Sequence, residues 1–442
     1  MPWWDAVDVV AEADIVIVGS GSAGSSAAIA ASGNGADVLL IDRLPFQGGT
    51  STAVLDTFYG FYTPGDSARR VVDGIGADVI AGLMRLGRVV ERPNMYGAGT
   101  GVTYNPEHLK VVWESLTRAA GARVLLHTSV QDVRCRDGVV SELLVATTAG
   151  LRRIKAKVIV DASGDADVCH YARFGYEQAG TKAPAQTLTT TFRMVNVDLV
   201  QRKTVTKDRL HAMMAEAVAD GYGLPRREGS DHITPIDGVM ATVMTRLDST
   251  REDPDGALTT PTDPWFRTDV ERDGREQALE YARFLVDRVP GYGASSLSTL
   301  STQIGVRETR RVFGDYRLSR DDVLSARQFD DQIGLCGAPI EDHHSGQGTT
   351  WAYLPESTAV GIPLRTLIVR DAANVLVAGR CFSASHDAQA SVRSMAQCIA
   401  MGQAAGVTAA LASAAALAPR DVSPHDVREA LRAGGAILEL DR

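Results

Sequence analysis

Residues 14–42 read DIVIVGSGSAGSSAAIAASGNGADVLLID, and the reading of this stretch decides the fold. After Asp14 the chain is continuously apolar over 15–18 and stops at Gly19. A short apolar run without alternation reads as a parallel strand covered on both faces. Small residues over 24–32 permit a closely packed helix, ended by the breaker Gly33-Asn34-Gly35. A second buried strand over 37–41 closes on Asp42. Strand, Gly-rich turn, helix and strand make a parallel βαβ unit.

The three glycines of the turn have separate tasks. Gly19 permits the tight turn, Gly21 lets a pyrophosphate approach the backbone, and Gly24 lets helix and strand pack closely. Ser22 and Ala23 open the helix, whose unpaired N–H groups and positive dipole end favour phosphate. Asp42 stands where an acid grips ribose hydroxyls. The pattern implies a dinucleotide but does not separate a flavin from a nicotinamide.

The 442 residues exceed one ordinary core, so two intertwined domains are expected. Apolar residues at 45% and charged residues at 22% match a globular chain, and a net charge of -9 argues against nucleic acid. The opening MPWWDAVDVVAE is acidic and lacks Lys and Arg, so it does not read as a secretory signal. The Ala-rich run SMAQCIAMGQAAGVTAALASAAALA (394–418) carries Gln397 and Gln403 and reads as a buried helix rather than a membrane span. Five scattered cysteines without a CxxC pair argue against a zinc site or disulfide framework and fit a reducing cytoplasm. Arginine far outnumbers lysine, as GC-rich bacterial coding produces.

Residues 186–340 read differently from the flanks. Alternating segments LTTTFRMV, GVMATVMTRL and STLSTQIGV mix with polar helices near 207–220 and 268–288. The expected organisation is therefore a nucleotide domain in two parts, 1–185 and 341–442, with an α+β substrate or cap domain inserted between them.

Three distal segments bear on which dinucleotide is bound. RLPFQGGTST (43–52) resembles the loop after the ribose-binding acid in glutathione-reductase-type flavoproteins. VIVDASGDADV (158–168) resembles their strand-plus-Gly motif, and NVLVAGRCFSASHDAQASVRSMAQCIAMGQAAG (374–406) resembles their C-terminal flavin motif. The chain thus resembles the bacterial FAD-dependent oxidoreductases within the glutathione-reductase-like superfamily. That resemblance implies an α/β, Rossmann-type fold with noncovalent FAD. It places Arg43, Gly48, Gly49, Thr50, Ser51, Val130, Ala162, Ser163, Gly164, Asp167, Gly379 and Arg380 around the cofactor. It also implies a helix starting near Ser391, with Val392 and Arg393, aimed at the flavin ring; its dipole would stabilise the negative reduced state.

Departures from relatives of this fold narrow the chemistry. GGTSTAVLDTFYG lacks the CxxxxC of the disulfide reductases, which excludes thiol–disulfide exchange there. Leu44, Pro45, Phe46 and Gln47 stand where succinate-dehydrogenase-like proteins place a flavin-linking histidine. DASGDADVCHYAR matches the mid-chain fingerprint of aromatic hydroxylases poorly, and no second complete GxGxxG unit offers a site for NAD(P)H. The expected activity is therefore a dehydrogenase or oxidase taking hydride from a small molecule, at C–H next to O or N or by desaturation. O2 or a carrier would be the acceptor. The rival readings are an NAD(P)H-fed flavin monooxygenase or reductase and a non-catalytic flavin-binding protein. A homo-oligomer is compatible with either.

Histidine suits the base that accompanies hydride removal. His386, in the loop after Gly379-Arg380, is the first candidate, with a loop-stabilising hydrogen bond as its alternative. His343 and His344 are adjacent in IEDHHSGQGTTWAYLPE, so at most one faces a pocket; no third ligand at metal spacing accompanies them. Arg307 and Arg365 are candidates for a substrate carboxylate or for structural ion pairs with Glu308 or Asp315. Tyr353 with Trp351 offers an aromatic wall or plain packing, and Cys381 a small core residue.

Overall fold

The computed structural model describes residues 3–55, 57–94, 97–252, 254–344 and 348–440. Its centre is a seven-stranded sheet. The first strand, Val9–Val18, pairs in parallel with Val38–Ile41 on one side and with Gly150–Asp161 on the other. Ile15, Val16 and Ile17 are fully buried, as an apolar run between two layers requires. Arg123–Leu125 extends the sheet beyond Val38–Ile41. The strand Gly150–Asp161 changes partners along its length. Its first half pairs antiparallel with Val139–Thr147, and residues 159–161 pair in parallel with Val375–Val377. The C-terminal ends of four parallel strands, at Val18, Ile41, Asp161 and Val377, therefore open on one edge of the sheet, where α/β folds bind ligands.

Two helices that meet backbone to backbone cover one face. Ser22–Gly33 packs against the C-terminal helix Met395–Ala415. A Cβ at Gly402 would lie 2.0 Å from the Ala23 carbonyl oxygen, and one at Gly406 2.3 Å from that of Ala27. Only glycine permits that separation. Met395–Ala415 is long and apolar enough to cross a membrane, but 72% of its apolar window is buried inside the protein.

Above the sheet edge lies a four-stranded antiparallel layer in the order Ser230–Ile233, Met240–Val243, Phe192–Val195, Ser296–Leu300. Helices Lys207–Ala219 and Pro264–Arg288 back it. Its own core joins Phe192, Met194, Met214, Tyr281, Phe284 and Leu285. That core is shorter in sequence than 186–340. Val312 packs in the cores that flank the seven-stranded sheet, and so do Leu318, Val323, Ile333, Leu335 and Ile340. Isolated bridges Leu188↔Leu247 and Thr189↔Gly305 lie beside this layer, around a small cluster of Leu188, Leu247, Phe266, Val270, Ile304 and Val306.

Candidate active site

The sheet edge and the inserted layer enclose a cavity of about 510 Å³, within the range of cofactor sites. The Gly-rich turn forms its floor. Gly19 has φ +94°, and a Cβ there would meet the Ala162 carbonyl oxygen at 2.5 Å. At Gly24 a Cβ would stand 1.7 Å from the Gly19 oxygen. Gly21 differs: its Cβ would meet nothing nearer than the Gly49 Cα at 3.9 Å, so the backbone here faces open cavity. Helix Ser22–Gly33 begins at this point, and Ser22 and Ala23 of its first turn, whose N–H groups have no partner within the helix, line the cavity.

Asp42 ties the strand ends to the turn. One carboxylate oxygen accepts from the Ser20 N–H (2.5 Å) and hydroxyl (2.7 Å), the other from the Leu44 N–H (2.8 Å). A carboxylate has about four acceptor positions, so one remains for a ribose hydroxyl. The second glycine pair docks on the first: the Gly48 N–H donates to the Ser20 oxygen at 2.8 Å, and Gly49 packs on Gly21. On the far side Arg380 donates to the Gly164 oxygen (2.8 Å) and to Asp165 (2.6 Å). Burial would raise the Asp165 carboxyl, but Arg380, Arg267 and Arg43 hold it far below the usual range. Asp167 is pushed up to about 6 by burial and by its neighbours Asp165 and Asp161.

Of the residues the sequence assigns to the cofactor, Gly19, Gly21, Ser22, Ala23, Asp42, Arg43, Gly49 and Thr50 line the cavity from the first half of the fold. Val130, Ala162, Ser163, Gly164, Asp167, Gly379, Arg380 and Arg393 complete that wall. Gly24, Gly48 and Ser51 shape the loops from behind; the Ser51 hydroxyl bonds the Gly48 oxygen at 2.6 Å. Ser391 and Val392 are buried away from the cavity, and no helix begins there. A short helix, His386–Val392, ends at Arg393, and the long helix starts afresh at Met395. The Ser391 hydroxyl is spent on the Ala338 oxygen at 2.6 Å, so the cavity receives Arg393, Ser394 and Met395 instead.

The catalytic candidates separate. His386 does not line the cavity; it lies on a separate surface groove beside Lys182 and Arg317. Its Nδ1 is 3.0 Å from Glu308 and its Nε2 3.1 Å from Asp342, so both ring nitrogens are engaged. His344 turns to the same side and bonds Asp342 at 2.8 Å. Arg365 forks onto Asp331 at 2.9 and 3.1 Å, an ion pair with a partner other than Glu308 or Asp315. Tyr353 is half exposed and stacked on Trp351, outside the cavity.

His343 and Arg307 do line it. The Arg307 Nη1 donates to the Thr187 oxygen (2.6 Å) and the Thr189 hydroxyl (2.7 Å). His343 Nδ1 faces Arg246 at 3.3 Å and the Thr349 hydroxyl at 3.0 Å, while Nε2 is 2.9 Å from Glu341. Arginine only donates, so Nδ1 is the acceptor and Nε2 carries the proton toward Glu341. Burial, then the charge of Arg307, drives His343 down to about 3. Burial alone would raise Glu341, but His343, Arg393 and Arg307 take it down to about 2. The pair at neutral pH is a neutral imidazole donating to an ionised carboxylate that opens on the cavity.

Glu341, Arg226 and His232 are cavity residues that the sequence reading did not single out. For Glu341 a signal existed. In the extended segment IEDHH, period two puts Glu341 and His343 on one face and Asp342 and His344 on the other. Arg226 and His232 arrive from the inserted layer and have no local signature.

A family model described as FAD dependent oxidoreductase matches residues 14–431, and the chain belongs to that family. FAD, bound noncovalently, is its cofactor, and the open backbone at Gly21, the helix N-terminus and the Asp42 carboxylate fit it. No curated protein sequence matches the chain. Among solved structures it is similar to a geranylgeranyl bacteriochlorophyll reductase-like protein from Thermoplasma acidophilum, at 14% identity over 96% of this chain and 83% of that one (TM-score 0.45). It is also similar to p-nitrophenol 4-monooxygenase PnpA from Pseudomonas putida DLL-E4, at 12% identity over 96% and 84% (TM-score 0.43). OxyS anhydrotetracycline hydroxylase from Streptomyces rimosus is similar at 10% identity over 96% and 65% (TM-score 0.49).

Proposed function

We propose that this oxidoreductase is a dehydrogenase or oxidase that removes a hydride from a small organic molecule, with the Glu341–His343 pair receiving the accompanying proton. The observation that carries the reading is that this pair and the glycine cradle share the wall of one cavity. Bound FAD supplies the two-electron acceptor, and O2 or a carrier takes the electrons onward. The substrate C–H bond breaks with its electron pair, and the neighbouring O–H or N–H gives its proton to the free side of the Glu341 carboxylate. His343 holds that carboxylate in place through Nε2. Thr189, Thr191 and Val243, from the inserted part of the chain, line the same cavity.

The test is anaerobic bleaching of the oxidised FAD absorption by a library of alcohols, amines and acids. At least one should reduce the cofactor, and E341Q should slow that reduction about 100-fold or more while His386→Asn leaves it near the wild-type rate. Rapid bleaching by NADPH without organic substrate would support the monooxygenase or reductase reading instead.

A further inference from the structure

Among the described residues the cavity wall is unbalanced in charge: seven arginines line it against three carboxylates. Part of the excess serves the cofactor, because Arg43 and Arg380 lie beside the loops that receive the pyrophosphate. Beneath the inserted layer, Arg226 and Arg307 line the same wall as Glu341, away from those loops.

Arg226 is the sharpest case. It is 5% exposed, and the Tyr281 hydroxyl clamps its backbone, accepting from the N–H at 2.8 Å and donating to the carbonyl oxygen at 2.7 Å. Nη1 donates to the Val243 oxygen at 3.1 Å. Its Nε is buried without a hydrogen-bond partner, and among the described residues the guanidinium makes no ion pair. A buried cation without a counter-charge is costly, so a fixed one lining a cavity is matched by charge arriving with a ligand. Arg307 stands on the same wall, and both guanidiniums act on His343.

We propose that the substrate is an organic anion, carrying a carboxylate or phosphate end that Arg226 and Arg307 receive beside the Glu341–His343 pair. The inference rests on the oxidation reading only in taking the bound anion to be the compound oxidised. The planar guanidinium fork matches either oxyanion. Neutralising Arg307 also removes part of what holds the Glu341 carboxyl down, so anion binding makes Glu341 a stronger proton acceptor.

The FAD-loaded protein is titrated with benzoate, succinate and phenyl phosphate, and with neutral benzamide and succinamide, following perturbation of the FAD absorption band. At least one anion should bind about tenfold or more tighter than the neutral amides, and R226Q and R307Q should each weaken it by about tenfold or more. R226K should retain part of the affinity. If R226Q does not fold, R307Q and the anion–amide comparison in the unaltered protein decide. Amides binding as well as anions, no anion binding at all, or unchanged affinity in both variants would overturn the proposal. Anion binding without reduction of FAD by any organic donor would leave the anion site standing and remove the oxidation reading. Reduction by neutral donors alone would do the reverse.

Discussion

Gly21 and Gly24 stand three positions apart in one turn and have opposite surroundings. A methyl group at Gly24 overlaps backbone at 1.7 Å, which no side-chain rearrangement can relieve. Gly21 has φ -63° and open space beside it, so alanine there strains nothing until the cofactor arrives. G24A should therefore cost the fold about 3 kcal/mol or more, as severe overpacking does, in chemical denaturation. G21A should leave the cofactor-free protein as stable as wild type while raising the FAD Kd by about tenfold or more. Equal effects of both changes on the cofactor-free fold would contradict these roles. Two buried histidines set a pH dependence. Burial, then nearby arginines, lowers His343 and His232 to about 3. Unfolded imidazoles take protons from about pH 6.5 downward and the folded ones do not, so stability falls as pH drops through this window. H343Q should flatten the slope by about 1.4 kcal/mol per pH unit between about pH 6 and about pH 4. A parallel slope in the variant would show that His343 is not held neutral. Glycine tasks were legible because a turn is local; the Arg226 environment was not, since Tyr281 and Val243 that fix it are far away in sequence.

The C-terminal helix links the two ends of the chain. Gly402 and Gly406 bring it onto Ala23 and Ala27 of the helix that follows the Gly-rich turn. G406A should lower stability by about 1–3 kcal/mol and weaken FAD retention with it, because the strain falls on the cofactor-bearing helix. Loss of stability with FAD affinity intact would uncouple the two elements. The run 394–418 showed a buried helix from its composition, yet not where that helix begins. Just before that start, the Ser391 hydroxyl bonds the Ala338 oxygen, a contact across 53 positions. The same limit explains His386. Sequence order put it beside Arg380, and the fold swings it away between Glu308 and Asp342. For Glu341 the alternation of IEDHH already held the answer, since His343 facing a pocket requires its neighbour two positions back to face it too.

For the whole molecule, four strand ends, two Gly-rich loops and the inserted layer converge on one cavity, and its charged side chains come from segments spread between Arg43 and Arg393. The parallel sheet was readable from apolar runs, while the extent of the inserted layer was not: residues 310–340 keep polar and apolar positions mixed yet pack in the nucleotide core. The central claim is that this cavity holds FAD without a covalent bond. Acid denaturation of the purified, washed protein, followed by separation of polypeptide from supernatant, tests it most directly. One equivalent of FAD per chain should appear in the supernatant. A protein that is colourless even after incubation with excess FAD, or a chromophore that stays with the polypeptide, would contradict it.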